Sequence, residues 1–482
     1  MSFEGAVTTF LSHRRDGVAN AVATALQYGP VRRGAAAYVE RFVDEHLEKE
    51  RPSGVRRDAQ TIVRALVHTI DDRLAQGYIS SSVVRNALSS LLLVPPERRE
   101  ASQRFRREHG GQYPPGFLVL SPTKLCNLHC KGCYASSGKD EAKLDWDVFD
   151  RTITEAKNLW GAGFMVISGG EPLTYRSQGH HLLDAMEKHQ DVFFLMFTNG
   201  TLIDKRMAAR MGELSNITPA ISVEGLEAST DARRGDGVFK RVLRAMGNLR
   251  EVGVPFGVSI TATRENCEEI LSDEFLHLFL DEQAATYGWI FQYMPIGRSF
   301  TLDLLPTPQQ RAWMWRRTWD VIQKKDYFLI DFWNSGSCSD GCVSAGRGGG
   351  YLYIDWNGQV MPCVFIPYSP VNIYDVYREG KTLNDLLDEP FFEAIRDWQR
   401  TYGLDAKRPE EHGNWLMPCP IRDHHAEFRR ILNTTEPDPE DEAALHAMID
   451  ADYRDGLIAY DEAVAKALDP IWEEEYIRPV SG

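Results

Sequence analysis

The chain has little of what marks a nucleic-acid-binding, membrane-spanning or secreted protein. Basic residues are outnumbered: 54 Lys and Arg against 69 Asp and Glu give a formal net charge of −15 over 482 residues. That balance excludes a nucleic-acid partner held by bulk electrostatics. No window approaches roughly eighteen uninterrupted apolar residues, so no integral membrane segment is expected. The start, Met1-Ser2-Phe3-Glu4-Gly5, lacks the basic run and apolar core of a signal peptide, and a cytoplasmic location is expected. Cysteine is scarce, eight in all, and in a long chain of this kind it reads as metal ligand sooner than as disulfide. No internal repeat is present. The length predicts two to four domains.

Residues 1–112 carry helical spacing: Val39, Phe42, Val43 and Leu47, then Ile62, Leu66, Ile70 and Leu74, then Val84, Leu88, Leu91 and Leu92. Pro95-Pro96 should stop the third helix. This N-terminal region reads as a helical cap or docking domain, with an amphipathic patch facing a membrane or partner as the alternative. Over 113–300 short apolar runs alternate with helical stretches such as Val148–Leu159, Leu182–Lys188 and Val238–Glu251. The candidate strands are Phe117–Leu120, Phe164–Ile167, Val192–Phe197, Ile217–Ile221, Phe256–Ile260 and Trp289–Tyr293. Such alternation predicts an α/β fold, a parallel sheet with crossover helices. Six units suit a partial (β/α)6 barrel, with chemistry at the strands' C-terminal ends. A helical linker over 301–337, a cysteine-bearing segment over 338–432 and an acidic tail over 433–482 complete the expected layout. The tail reads as a solvated helix pair.

Three of the cysteines, Cys126, Cys130 and Cys133, follow the first candidate strand with x3 and x2 spacing. An iron–sulfur cube takes four thiolates, so three would leave one iron open to a small molecule. Zinc is the competing occupant. The second strand ends in Ser168-Gly169-Gly170-Glu171-Pro172, 36 residues from Cys133 to Gly169. Its two glycines admit close backbone approach, and strand-end carbonyls with Glu171 offer acceptors for an ammonium group. Thr198-Asn199-Gly200 closes the third strand, Ser222-Val223-Glu224-Gly225 the fourth, and Arg233-Arg234 follows.

In this order the motifs resemble the signature of the radical S-adenosylmethionine (SAM) superfamily. The resemblance implies that Cys126, Cys130 and Cys133 hold a [4Fe-4S] cluster whose open iron chelates SAM. It implies that Gly169, Gly170 and Glu171 hold the SAM amino group and that Asn199 belongs to the same cofactor site. Ser222 and an acid would lie near the ribose, where Glu224 stands in place of the usual Asp. Arg234 would pair with the SAM carboxylate, with Arg233 as competitor, and Tyr134 would lie beside the adenine.

The second cysteine set begins with Cys338 and Cys342. Gly358 follows Cys342 after fifteen residues, and Cys363 follows after four more. Asn357-Gly358 between β-rich flanks predicts a hairpin that brings Cys342 near Cys363. The spacing resembles the SPASM or twitch extension of radical SAM enzymes, and with Cys419 the four would complete one auxiliary [4Fe-4S] cluster. Ala345 stands where a third thiol of a second SAM site would fall. A four-cysteine zinc site is the alternative. Cys267 is left over as a buried thiol. Asp423-His424-His425 reads as a helix start with Asp423 as N-cap, or else as a proton acceptor near the substrate.

The resemblance implies reductive cleavage of SAM to a 5′-deoxyadenosyl radical and hydrogen abstraction from a substrate carbon, with an external flavodoxin- or ferredoxin-type electron donor. An auxiliary cluster would favour net oxidation or bond formation. A peptide or protein side chain is the expected substrate, as for a maturase, although the N-terminal helices lack an obvious β-winged peptide-recognition module. A small molecule or lipid is the alternative, and a non-catalytic metal-braced binding protein the third.

Overall fold

Short runs that are apolar at every position make strands covered on both faces, and such strands pair in parallel. In a computed structural model, described over residues 15–46, 52–298, 300–406 and 408–478, these runs form one sheet. Its strands are β1 (Phe117–Leu120), β2 (Phe164–Ile167), β3 (Phe193–Thr198), β4 (Ile217–Val223), β5 (Gly257–Ala262), β6 (Tyr287–Gln292), β7 (Leu329–Asp331), β8 (Tyr351–Ile354), β9 (Gln359–Met361) and β10 (Val371–Asn372). The spatial order is β10-β9-β8-β1-β2-β3-β4-β5-β6-β7. From β8 to β7 every pairing is parallel. Only β9 and β10 run against their neighbours.

Four of these strands, β7 to β10, lie outside the six expected. β7 falls within the stretch read as a helical linker, because three residues are too few to show a period. The predicted hairpin also forms, but its first strand joins the core sheet: β8 pairs with β1, with Phe117 opposite Tyr351. That pairing covers an edge of β1 that would otherwise expose unpaired backbone groups. Along β1 the side chains alternate. Leu118 and Leu120 are fully buried in the main core beneath the crossover helices, whereas Phe117 and Val119 join the cluster that fills the sheet's other face.

The N-terminal helices pack on the ends where strands begin. Arg98, from the helix Pro96–Glu108, donates to the carbonyls of Gly161 (3.2 Å) and Asp191 (2.7 Å), just ahead of β2 and β3. Arg73 donates to Ala285 (3.3 Å) ahead of β6, and Asn86 to Leu214 (3.1 Å) ahead of β4. Pro96 opens its helix, where its missing N–H costs nothing. The helix Gly29–His46 buries none of its residues, and Tyr38 and Phe42 stay exposed; Leu47 lies outside the described residues. No described helix is long and apolar enough to cross a membrane.

The acidic tail departs from a solvated pair. Its second helix, Ala451–Trp472, buries Leu457, Val464, Leu468 and Trp472 and packs against the helix Pro308–Lys325. An apolar stripe at helical spacing requires such a cover.

Candidate functional site

The loop carrying Cys126, Cys130 and Cys133 lies at the C-terminal end of β1 and is held by backbone on three sides. Cys126 N–H donates to Gly138 (2.7 Å) and Lys131 N–H to Arg233 (3.0 Å). Arg298, on the loop after β6, donates from its side chain to the carbonyls of Cys130 and Ser137 and from its backbone to Cys133 (3.0 Å). Gly297 permits this approach: a Cβ there would lie 2.1 Å from the Tyr134 carbonyl oxygen. Gly170 has the same role on the other side. Its Cβ would lie 2.3 Å from the Leu125 oxygen, so the glycines of the 168–172 turn seat the cysteine loop itself. The N–H groups of Gly170 and Glu171 bond to Thr123 (2.8 Å) and Leu125 (2.9 Å).

A cavity of about 260 Å³ opens beneath this loop. The three cysteines, Tyr134, Gly169, Gly170, Asn199, Ser222 and Arg234 all line it, and so does Arg233. The two acids read as cofactor contacts are placed otherwise. Glu171 is fully buried, and its oxygens accept from Thr198 Oγ1 (2.8 Å) and the N–H groups of Asn199 (2.8 Å) and Leu173 (3.2 Å). Burial raises its pKa, and those donors hold it back. Glu224, buried as well, takes both guanidiniums: Arg233 at 2.6 Å, and Arg234 through Nε at 2.8 Å and Nη2. Burial opposes the charge on Arg234, but Glu224, with the cysteine sulfurs beside it, leaves the pKa raised above the ordinary value. The carboxylate thus holds the Arg234 fork that was expected to be free for a ligand.

Two N–H donors face a sulfur: Leu128 N–H lies 3.5 Å and the Asn199 amide 3.8 Å from Cys126 Sγ. Burial pushes the Cys126 thiol up to about 12 and raises that of Cys130. Such thiols remain protonated in the bare chain, and a bound cation is what converts them to thiolates. The Tyr134 hydroxyl bonds to Ser168 Oγ (2.7 Å), and its ring meets Phe365 edge-on at 6.0 Å.

Below the loop the wall turns apolar. Phe117, Phe164, Phe197, Trp289, Phe291 and Phe332 line it, with Tyr351, Val364 and Phe365 at the side of the second cysteine set. Cys363 Sγ lies 2.9 Å from the Tyr351 hydroxyl and 3.4 Å from Phe365 N. Burial pushes Cys363 up to about 12 and also raises Cys338 and Cys419. Among the described residues no group of three or more His, Cys, Asp or Glu side chains converges on a single metal-ion position, at the triplet or at the second cysteine set. Cys267 is buried and free.

Ser337, next to Cys338, donates to Asp58 Oδ2 (2.7 Å), which also accepts from Tyr476 (2.7 Å). Helix Ser53–Ala75 and the far C-terminal segment therefore meet at the auxiliary loop. Burial lifts Asp58 to about 6 against these donors. The Asp423 reading is corrected. This carboxylate pairs with Arg311 (2.6 Å) and Arg422 (3.2 Å) in the interior, and His424 is the N-cap, its side chain making no bond to the helix's first turn. His424 bonds to the Met417 carbonyl (2.8 Å) and His425 to that of Ile421 (2.7 Å); neither lines the cavity.

The radical SAM superfamily profile matches residues 120–273. The mycofactocin maturase MftC of Mycolicibacterium smegmatis is 31% identical over 295 residues, 59% of this chain and 70% of that protein. The chain belongs to the radical SAM superfamily. Membership makes it an enzyme whose cofactors are a [4Fe-4S] cluster and SAM. The AdoMet-dependent heme synthase of Nitratidesulfovibrio vulgaris is 27% identical over 298 residues, 53% of this chain and 75% of that protein. Streptococcus suis SuiB bound to precursor peptide SuiA shares the fold, with a TM-score of 0.50 and 20% identity over 62% of this chain and 70% of that one.

The radical SAM fold, with an auxiliary cysteine segment behind the barrel, agrees with the sequence reading. Arg298 and Asp58 were missed. Gly297-Arg298 just after the last expected strand was the available signal for the first; Asp58 had none.

Proposed function

We propose that Cys126, Cys130 and Cys133 hold the SAM-binding cluster, that Cys338, Cys342, Cys363 and Cys419 hold one auxiliary [4Fe-4S] cluster, and that the enzyme oxidises an apolar side chain of a peptide. The observation that carries this reading is the single cavity with the triplet at one end and the Cys363 loop at the other. When bound, the cluster and SAM supply the 5′-deoxyadenosyl radical. The chain's own residues do the rest. Ser168, Gly169, Gly170, Asn199 and Ser222 form the polar rim for SAM, and Arg233 with Arg234 supplies positive charge beside it. Leu128 N–H and Asn199 donate to Cys126, as donors to cluster sulfurs do.

Phe117, Phe164, Phe197, Phe291 and Phe332 then give the substrate a dry aromatic wall that excludes water from a radical. A charged or strongly polar target would leave its groups unpaired there, so the abstracted hydrogen belongs to a saturated carbon of an aromatic or branched aliphatic side chain. The likeness to a maturase, together with the fold that binds a precursor peptide in SuiB, supports a peptide. An external one-electron donor completes the cycle in this reading.

The test is anaerobic turnover with SAM, reductant and candidate peptides deuterated on apolar side chains. Deuterium in 5′-deoxyadenosine is the expected result. Transfer only from a porphyrin or lipid substrate would reject the peptide, and no 5′-deoxyadenosine from cluster-loaded protein would reject the assignment of the triplet.

A further inference from the structure

The aromatic lower wall of the cavity carries one titratable side chain, Tyr351; the remaining ones, the three cysteines, Tyr134, Arg233 and Arg234, belong to the SAM end. Tyr351 opens β8, opposite Phe117, and its ring stacks on Phe117 at 5.2 Å. The residue is buried, and its hydroxyl lies 2.9 Å from Cys363 Sγ. One face of this side chain is therefore substrate wall, and its tip is bonded to a sulfur of the second cysteine set. A thiolate can only accept in this contact, which fixes the phenol as donor once Cys363 is ionised. Phe365 N–H, the second donor, comes from backbone and is insensitive to side-chain change.

We propose that Tyr351 is a positioning residue that couples the substrate cavity to the auxiliary cluster. Through its hydrogen bond it raises the reduction potential of that cluster, and through its ring it registers the substrate packed against it. The inference rests on Cys363 being an auxiliary ligand. Hydrogen bonds to cluster sulfurs and burial are the protein's levers on potential, and Tyr351 supplies both from the cavity side. It is not a catalytic residue, because its hydroxyl is committed to Cys363.

The experiment is a redox titration of the fully loaded enzyme, followed by EPR, comparing the natural chain with Tyr351→Phe. Phenylalanine keeps the ring and removes the donor. The expected result is a lower potential for the auxiliary cluster, with unchanged iron content and an unchanged potential for the SAM-binding cluster. In deuterium oxide, the natural enzyme should show an exchangeable deuteron coupled to the auxiliary cluster in addition to that of the Phe365 amide, and the variant should lose that additional coupling. An unshifted potential with the coupling retained would overturn the proposal.

Cys363→Ala separates the two levels of inference. Loss of one cluster from this variant, beside an unshifted Tyr351→Phe, defeats the coupling role alone. Retention of both clusters in Cys363→Ala defeats the ligand assignment beneath it. Should Tyr351→Phe fail to fold, the deuteron measurement on the natural enzyme decides by itself: absence of an exchangeable coupling beyond that of the Phe365 backbone amide rejects the hydrogen bond.

Discussion

Cys126, Cys130 and Cys133 lie within eight residues of one loop, whereas Cys338, Cys342, Cys363 and Cys419 are spread over 82 positions. The first set is shaped locally: a strand end, a tight loop, and the backbones of the 168–172 turn and Arg298 pressed against it. The second is assembled by the whole chain. A loop held by Asp58 and Tyr476, a hairpin added to the core sheet and a short helix beside the Arg311–Asp423 pair each bring their part. A local site tolerates loosening elsewhere in the molecule, whereas a distributed one inherits the stability of every segment that reaches it. The cluster at the second site should therefore be the first lost when the fold is perturbed.

Cys130→Ala should have the largest effect. Formation of 5′-deoxyadenosine, followed by chromatography, should drop to the reductant-only background while the auxiliary cluster remains visible by EPR. Cys419→Ala should do the reverse. One cluster's iron is lost, SAM cleavage continues and modified product disappears; loss of both clusters together would show that the sites are not independent.

Next comes His425, which burial holds neutral, with its pKa lowered to about 4. The unfolded side chain protonates at about 6.5, so the unfolded state takes up the proton first as pH falls. Stability is full above about pH 6.5 and declines towards pH 4, by about 3 kcal/mol in all. Denaturation of the natural chain and His425→Gln at pH 7.5 and 5 checks this, and the variant should lose most of the difference. Cys419 lies near this helix start, so the auxiliary EPR signal should weaken in step.

Asp58→Ala should have the smallest effect. It leaves the hydroxyls of Ser337 and Tyr476 without their shared acceptor, at about 1–3 kcal/mol. Thermal loss of the auxiliary signal should move to lower temperature while the SAM-perturbed signal keeps its midpoint.

The same contrast explains what could be read from the chain. Spacing alone locates the triplet, because its three members share one short loop, although the backbones that hold that loop come from Gly170, Arg233 and Arg298. The turn at Gly169-Gly170 was legible too, although the reason for the glycines is contact with Thr123 and Leu125 as well as the cavity. Glu171 and Glu224 were read as ligand contacts because only the fold reveals that Thr198, Asn199 and the two arginines claim them. The hairpin was legible from Asn357-Gly358, but its pairing with β1 depends on an edge that no local pattern encodes. Asp58, Ser337 and Tyr476 meet across 418 positions, beyond the reach of any periodicity. Asp423 looked like a cap because the partner that draws it inward, Arg311, lies 112 residues back, and its neighbour Arg422 carries no sign of burial in the sequence.

The central claim is that two separate clusters flank one cavity. Its most direct test is EPR of the reduced, reconstituted protein with and without SAM, in the natural chain and in a variant with Cys126, Cys130 and Cys133 all changed to Ala. Two signals are predicted in the natural chain, one of them altered by SAM, and one SAM-indifferent signal in the variant. A single signal in the natural chain, or a signal in the variant that still responds to SAM, would contradict the account.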